Sequence, residues 1–335
     1  MKQINWGIIG CGNVTELKSG PAFNKVDHSR LVAVMRRDAA KAEDYALRHN
    51  VPRWYTHVDQ LINDPEVNAI YVATPPNTHA EYAIRVMHAG KPVYVEKPMA
   101  MNEAECREMI KVSKETGQPL FVAYYRRALP YFVKIKELID AKVIGDVRLI
   151  NSKLHNPLKP EELHPELQFG WRVDPKISGG GHFHDLASHQ LDYLLYLLGP
   201  VKNVKGISLN QAGLYAADDI TTALMNFESG AVFTGSWCFT VPENQKIDQT
   251  EIIGSKGKLT FSIFGKPIIV IEKENGETET LEIPYPQHVQ HPNITLVVKT
   301  LQGIGEAPST GETGIKATIL MDKITSKKGE SSLDD

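Results

Sequence analysis

Three short stretches of this chain carry side chains whose types and spacing suit chemistry. In "GIIGCGNVTE", Gly10, Gly12 and Thr15 occupy the positions of a G-x-G-x-x-(G/A) turn, directly after an apolar run. Gly10 permits a tight turn and Gly12 lets backbone approach a pyrophosphate. The helix start at Asn13 and Val14 then offers N–H donors and the positive end of a dipole. Thr15 replaces the usual small third residue, which predicts looser packing of helix on strand at that point. A second stretch, "VYVEKPMA", begins as a buried strand and ends at once in Glu96, Lys97 and Pro98. Read by itself, that end is either a salt bridge closed by a proline or a strand tip carrying reactive groups. In the third, "GGGHFHDLASHQLDYLLYLLG", Asp185 and His189 are four apart, so a helix presents both on one face near its N-terminus. Histidine titrates near neutrality and so suits proton transfer to or from a hydroxyl. The competing reading is a helix-capping Asp185 and a surface His189.

The residue at the tip of the second strand bears on the choice of cofactor. NAD sites usually carry an acid there, whereas this chain reads "VMRRD". An acid would repel a ribose 2′-phosphate, and the guanidinium of Arg36 or Arg37 would pair with one in forked geometry. NADP is therefore expected, with NAD as the alternative. The other account is two surface arginines, with Asp38 capping the next helix. His182 and His184 form an HxH pair, but they sit at a helix start, where residues two apart diverge. No second histidine or cysteine pair accompanies them, so no metal is expected.

These residues need a frame. In the first part, apolar runs such as "LVAVM", "AIYVATP" and "PLFVAYY" alternate with helical stretches such as "DAAKAEDYALRH", as in βαβ units of a parallel sheet. After the amphipathic "YFVKIKELIDAKVIG", strands follow one another, separated by glycine turns at Gly230 and Gly257. The leucine-striped helix after "GGG" interrupts them, and two helices are expected between about 292 and 328. The predicted fold class is α/β. Residues 1–123 form a doubly wound parallel sheet, and residues 124–335 form an α+β domain with an open, mainly antiparallel sheet. The last helices are free to pack back on the first domain.

The whole-chain numbers restrict partners. The 335 residues suffice for two domains, and 37 basic against 40 acidic residues leave a net charge of −3. That balance supports neither a nucleic-acid nor a membrane-surface partner. Three scattered cysteines, Cys11, Cys106 and Cys238, form no disulfide framework and fit a reducing compartment. With no secretory leader pattern and no run of about 18 apolar residues, a cytoplasmic protein is expected.

Taken in order, "GIIGCGN", "ATPPNTH", "AGKPVYVEKPMA", "RRALPYFVKIKELIDAKVIGDV", "FGWRVDP", "GGGHFHDLASHQLDYLLYLLG" and "EIIGSKGKL" resemble the glucose–fructose oxidoreductase / inositol dehydrogenase / MocA (Gfo/Idh/MocA) family over nearly the whole chain. The resemblance implies an NAD(P)-dependent sugar or polyol oxidoreductase. It puts the family's lysine on Lys97, which would hydrogen-bond the reacting oxygen and the nicotinamide ribose. Glu96 would contact the ribose region, and the Lys97–Pro98 bond would be cis. Thr74, Pro75, Asn77 and His79 would flank the nicotinamide from the neighbouring strand end. His189 becomes the general acid/base and Asp185 its substrate-binding partner. Trp171 and Arg172 would reach toward the cofactor. Candidate sugar contacts are Tyr124, Arg126, His155, His164 and His184, with the proline-rich stretch 156–171 covering the site. Relatives often dimerise or tetramerise through the second-domain sheet, which implies a homo-oligomer. Two rivals follow from the same fold: a glycosidase that oxidises its substrate transiently on tightly held NAD, and a non-enzymatic dinucleotide-sensing regulator.

Overall fold

The computed structural model describes residues 2–163 and 170–326. His164 and the polar tail beyond Ser326 lie outside the described residues. Two compact units make up the fold: Met1–Val133 with Pro284–Thr318, and Lys134–Ile283 with Ile319–Asp335.

The first unit holds strands β1 (Ile4–Ile9), β2 (Ser29–Met35), β3 (Arg53–Tyr55), β4 (Ala69–Val72), β5 (Val93–Val95) and β6 (Leu120–Val122). They form one sheet in the order β3-β2-β1-β4-β5-β6, with every neighbouring pair parallel. The α/β expectation holds. Strand order reverses between β1 and β4, and the crevice beyond their carboxyl ends is where sheets of this kind take ligands. β5 is only Val93, Tyr94 and Val95, all fully buried, so the chain leaves the sheet at Glu96. β3 departs from the sequence reading, which has no strand there. It is a three-residue edge strand of half-exposed side chains, too short and too polar to show alternation.

Aromatic rings dominate this unit's core: Trp6 packs on Phe23 at 4.8 Å between centroids, and Tyr71 stacks on Tyr94 at 5.0 Å. The helix His291–Leu301 adds Ile294, Val297 and Val298, spaced to share one face. Each such buried side chain contributes about 2 kcal/mol. The 284–318 segment therefore completes a core begun almost 300 residues earlier.

The second unit is built on eight strands: β7 (Val147–His155), β8 (Val201–Leu209), β9 (Ile220–Phe227), β10 (Val232–Cys238), β11 (Ile247–Gly254), β12 (Gly257–Phe261), β13 (Ile268–Lys273) and β14 (Thr278–Glu282). Their order is β14-β13-β12-β11-β7-β10-β9-β8. All pairs are antiparallel except β7 with β10, so the sheet is mainly antiparallel as expected. β8 is absent from the sequence reading because its side chains are nearly all exposed or half-exposed, which erases the alternation that marks a strand. The helix Ser188–Leu198 lies on this sheet. Its Tyr193 meets Phe261 edge to face, and Gln190 is tied to strand residues described below. Ile207, Leu209, Leu224 and Val232, on β8 to β10, remain exposed. Among the described residues no helix is long and apolar enough to cross a membrane, and no cluster of three His, Cys, Asp or Glu side chains is placed to hold a metal.

Candidate functional site

In the first unit the candidate residues gather at strand ends. Gly10 has φ +89°, and a Cβ there would lie 2.6 Å from Thr74 Cγ2, so only glycine fits where the β1 and β4 loops meet. A Cβ on Gly12 would meet nothing closer than the Gly10 carbonyl at 3.8 Å. The space over Gly12 is open, as close approach of a phosphate requires, so the loop fits a dinucleotide. Thr15, expected to loosen the packing, is instead fully buried and organises the loop. Its hydroxyl accepts the Gly12 N–H at 3.0 Å and donates to the Gly12 carbonyl at 2.8 Å. The helix it opens is short, Asn13–Leu17. Close packing falls one turn later, where a Cβ on Gly20 would lie 2.2 Å from the Thr15 carbonyl oxygen.

Arg36 follows β2 directly, and its Nη1 donates to the Cys11 carbonyl at 3.0 Å, so a half-buried guanidinium borders the glycine loop. Arg37 is exposed, and Asp38 accepts the Lys41 N–H at 3.2 Å as a helix cap. Asp38 is thus a helix cap, and Arg36 stands at the tip of β2 beside the glycine loop.

At the β4 end Thr74 and Pro75 are half-exposed and Asn77 is exposed. His79, expected beside the cofactor, is wholly buried. Its ring spans two loops, with Nε2 2.7 Å from the Thr74 carbonyl and Nδ1 2.9 Å from the Pro98 carbonyl. Burial pushes its pKa down. Its part is therefore to fix the 74–79 and 96–98 segments against each other, which sequence alone could not show.

At the β5 end the Lys97–Pro98 bond is cis, as the resemblance implied. Glu96 is 6% exposed and its carboxylate is held by named donors. Oε1 accepts the Tyr71 hydroxyl and, at 2.6 Å, the Gln290 amide, while Oε2 accepts the Lys97 N–H at 3.1 Å. Lys97 is half-exposed. Tyr124 and Arg126, expected as sugar contacts, are buried at 0% and 5%, and the Arg126 guanidinium lies over the rings of Tyr125 and Phe132. Tyr71 and Gln290 were missed: neither lies in a motif, and Gln290 is almost 200 residues from Glu96 in sequence.

In the second unit, residues Phe183–Ala187 form a π-helical stretch leading into the α-helix Ser188–Leu198. Wide turns of this kind recur at functional sites. Asp185 sits in the wide turn and His189 in the first turn of the α-helix. Neither fits the competing reading, because the N-cap position of the α-helix is Ala187 and His189 is 3% exposed. Asp185 Oδ2 accepts Arg172 Nε at 3.1 Å, and the Arg172 guanidinium lies 4.8 Å from the centre of the Trp171 ring. The 171–172 segment is thereby tied to the helix carrying Asp185. Phe264 meets the His189 ring edge to face at 5.9 Å.

Next to His189 the helix is anchored through Gln190, whose amide donates to Ser152 on β7 at 3.1 Å and accepts from Trp237 on β10 at 2.6 Å. His184 is 5% exposed with Nδ1 against the Gly180 carbonyl, and burial holds its pKa down at about 4. It is a neutral ring engaged in the glycine turn. His182 pairs with the buried Glu162 at 3.2 Å. His155 is half-buried and 2.9 Å from Ser236 Oγ, its pKa lowered by burial and then by Lys153.

The comparisons agree with this layout. Residues 4–124 match the model described as oxidoreductase family, NAD-binding Rossmann fold, and residues 132–260 match the GFO/IDH/MocA C-terminal domain. The chain belongs to the Gfo/Idh/MocA oxidoreductases. Among relatives of this Gfo/Idh/MocA member, Oxidoreductase P35 of Formosa agariphila is 40% identical over 96% of this chain and 98% of that protein. The 1,5-anhydro-D-fructose reductase of Ensifer adhaerens is 27% identical over 92% of each. The structure of the aldose–aldose oxidoreductase of Caulobacter crescentus, complexed with glycerol, superposes with a TM-score of 0.84 at 24% identity, covering 96% of each chain. At that identity the likeness establishes fold.

Proposed function

We propose that this protein transfers a hydride between nicotinamide C4 of NADP and a secondary alcohol, or its ketone, on a sugar, polyol or sugar derivative. The observation that carries the reading is the end of β5: a buried Glu96 held by three donors and followed by Lys97 at the carboxyl edge of a doubly wound sheet, with the glycine loop on β1 of the same sheet. Residues 1–123 serve the dinucleotide, backed by the 284–318 segment that completes their core, and the remainder of residues 124–335 serves substrate and assembly.

A bound nicotinamide supplies the carbon that gives or takes the hydride. Gly10, Gly12, Asn13 and Val14 would hold the pyrophosphate, and Arg36, with Arg37 behind it, the ribose 2′-phosphate. The Lys97 ammonium stabilises negative charge on the reacting oxygen, and His189 takes up or returns the hydroxyl proton. Asp185, already ion-paired to Arg172, orients that hydroxyl. A sugar-like substrate fits the similarity to a 1,5-anhydro-D-fructose reductase and to the structure of an aldose–aldose oxidoreductase. The exposed apolar residues of β8 to β10 support assembly of like subunits through that sheet face.

The test is a panel of aldoses, anhydro-sugars, polyols and keto-sugars, assayed with NADP and NAD by nicotinamide absorbance. Net turnover with a preference for NADP is expected. Cleavage of a glycosidic bond without net nicotinamide reduction would replace this reading with the glycosidase.

A further inference from the structure

We infer that Gln290 is a positioning residue for Lys97, acting through the Glu96 carboxylate. The inference rests on the reading of Lys97 given above and adds a residue far from every motif in the chain. Gln290 has no exposed surface, and its amide orientation is set by its neighbours. The Asn293 amide donates to the Tyr94 oxygen at 3.0 Å, and the Tyr94 hydroxyl donates to Gln290 Oε1 at 2.9 Å. The Gln290 Nε2 is left to donate to Glu96 Oε1 at 2.6 Å, joining the Tyr71 hydroxyl there. Burial, then the charge on Glu96, pushes the Tyr71 and Tyr94 phenols up, so both stay protonated and remain donors. All the donors in this chain point toward one carboxylate, and such directed chains reinforce each other in a low-dielectric interior.

The other oxygen of that carboxylate accepts the Lys97 backbone N–H at 3.1 Å. Whatever fixes the Glu96 side chain therefore fixes the backbone that carries Lys97. The same segment also reaches the glycine loop's helix: the Gln290 N–H donates to the Lys18 carbonyl at 3.1 Å, and His288 Nδ1 lies 2.7 Å from the Leu17 carbonyl. Residues 288–293 thus pin the end of the glycine-loop helix and the tip of β5 to a common support. Replacing the side chain of Gln290 leaves the backbone bond to Lys18 in place and removes only the arm to Glu96.

The experiment compares Gln290→Met, close in volume but without hydrogen bonds, with wild type, and uses Asn293→Ala as a milder variant of the same chain. Residue-resolved hydrogen exchange needs no substrate. The Lys97 amide should exchange at least roughly tenfold faster in Gln290→Met, while amides of β1 keep wild-type rates. On whichever panel sugar wild type turns over, kcat should fall by about ten- to a hundredfold, with the KM for cofactor nearly unchanged. Faster exchange throughout the unit would mean a general loss of stability and would overturn the inference, as would wild-type exchange at Lys97. Should Gln290→Met fail to fold, the same exchange pattern at smaller amplitude is required of Asn293→Ala. An empty sugar panel would reject the proposed function alone, since the exchange result judges Gln290 independently.

Discussion

The two units solve the same problem, holding a few side chains still, by different means. In the first unit the sheet is parallel, so the carboxyl ends of all its strands lie along one edge, and short loops deliver Gly10, Thr74 and Lys97 there. In the second the sheet is mainly antiparallel and has no common carboxyl edge. Its candidate residues, Asp185 and His189, ride instead on a helix laid over the sheet and anchored through Gln190. A parallel sheet positions residues by topology, whereas an antiparallel one needs a separate carrier and a polar anchor. Both units back their site with a fully buried glutamine, Gln290 in one and Gln190 in the other.

Four substitutions probe that contrast. The largest effect belongs to the strand-borne residue. Lys97→Met should cut kcat by roughly a thousandfold while NADPH binding, followed by its fluorescence, changes little. Turnover close to wild type would remove Lys97 from the chemistry. Next is the acid response of the carrier helix. Burial holds the His184 pKa at about 4, below its unfolded value, so its neutral form favours the fold. That stability is complete above about pH 6.5 and is lost as the pH falls toward 4, by about 3 kcal/mol in all. Melting curves of His184→Asn should be flatter across this window than those of wild type, and an equal acid slope would dismiss His184 as the sensor. His79, buried in the first unit with its pKa shifted the same way, offers a matched comparison.

Third is the anchor. Gln190→Leu strands the Trp237 N–H and should cost about 2 kcal/mol by chemical denaturation. It should lower kcat/KM through His189, leaving dinucleotide affinity intact. Weakened dinucleotide binding in this variant would contradict a role confined to the second unit. The smallest effect falls on the cofactor choice: Arg36→Ala should weaken NADPH binding roughly tenfold and leave NADH binding nearly unchanged. Equal losses for both would mean that Arg36 serves the loop, through its bond to the Cys11 carbonyl, and not the phosphate.

Legibility also differed between the units. The parallel sheet was readable because its strands are continuous apolar runs ending in glycine, proline or charge, and its site residues sit within a few positions of those ends. β3 escaped for want of length, and β8 for want of a buried face. In the second unit the spacing of Asp185 and His189 was visible, but the π-helical turn that carries Asp185 was not, because nothing in "FHDLA" separates a wide turn from an ordinary one. The pairing of Asp185 with Arg172 joins residues that the sequence assigned to different tasks.

Local decisions are written along the chain: where strands stop, where glycine must turn, and which titratable groups stand beside those points. These follow from steric and periodic rules that act over a handful of residues. The surroundings of each group come from long-range packing. It set the buried His79 ring between the Thr74 and Pro98 carbonyls and buried Tyr124 and Arg126. It also brought Gln290 to Glu96 across almost 200 residues. A buried carboxylate must find donors wherever the fold can supply them, and that requirement sets no distance along the chain.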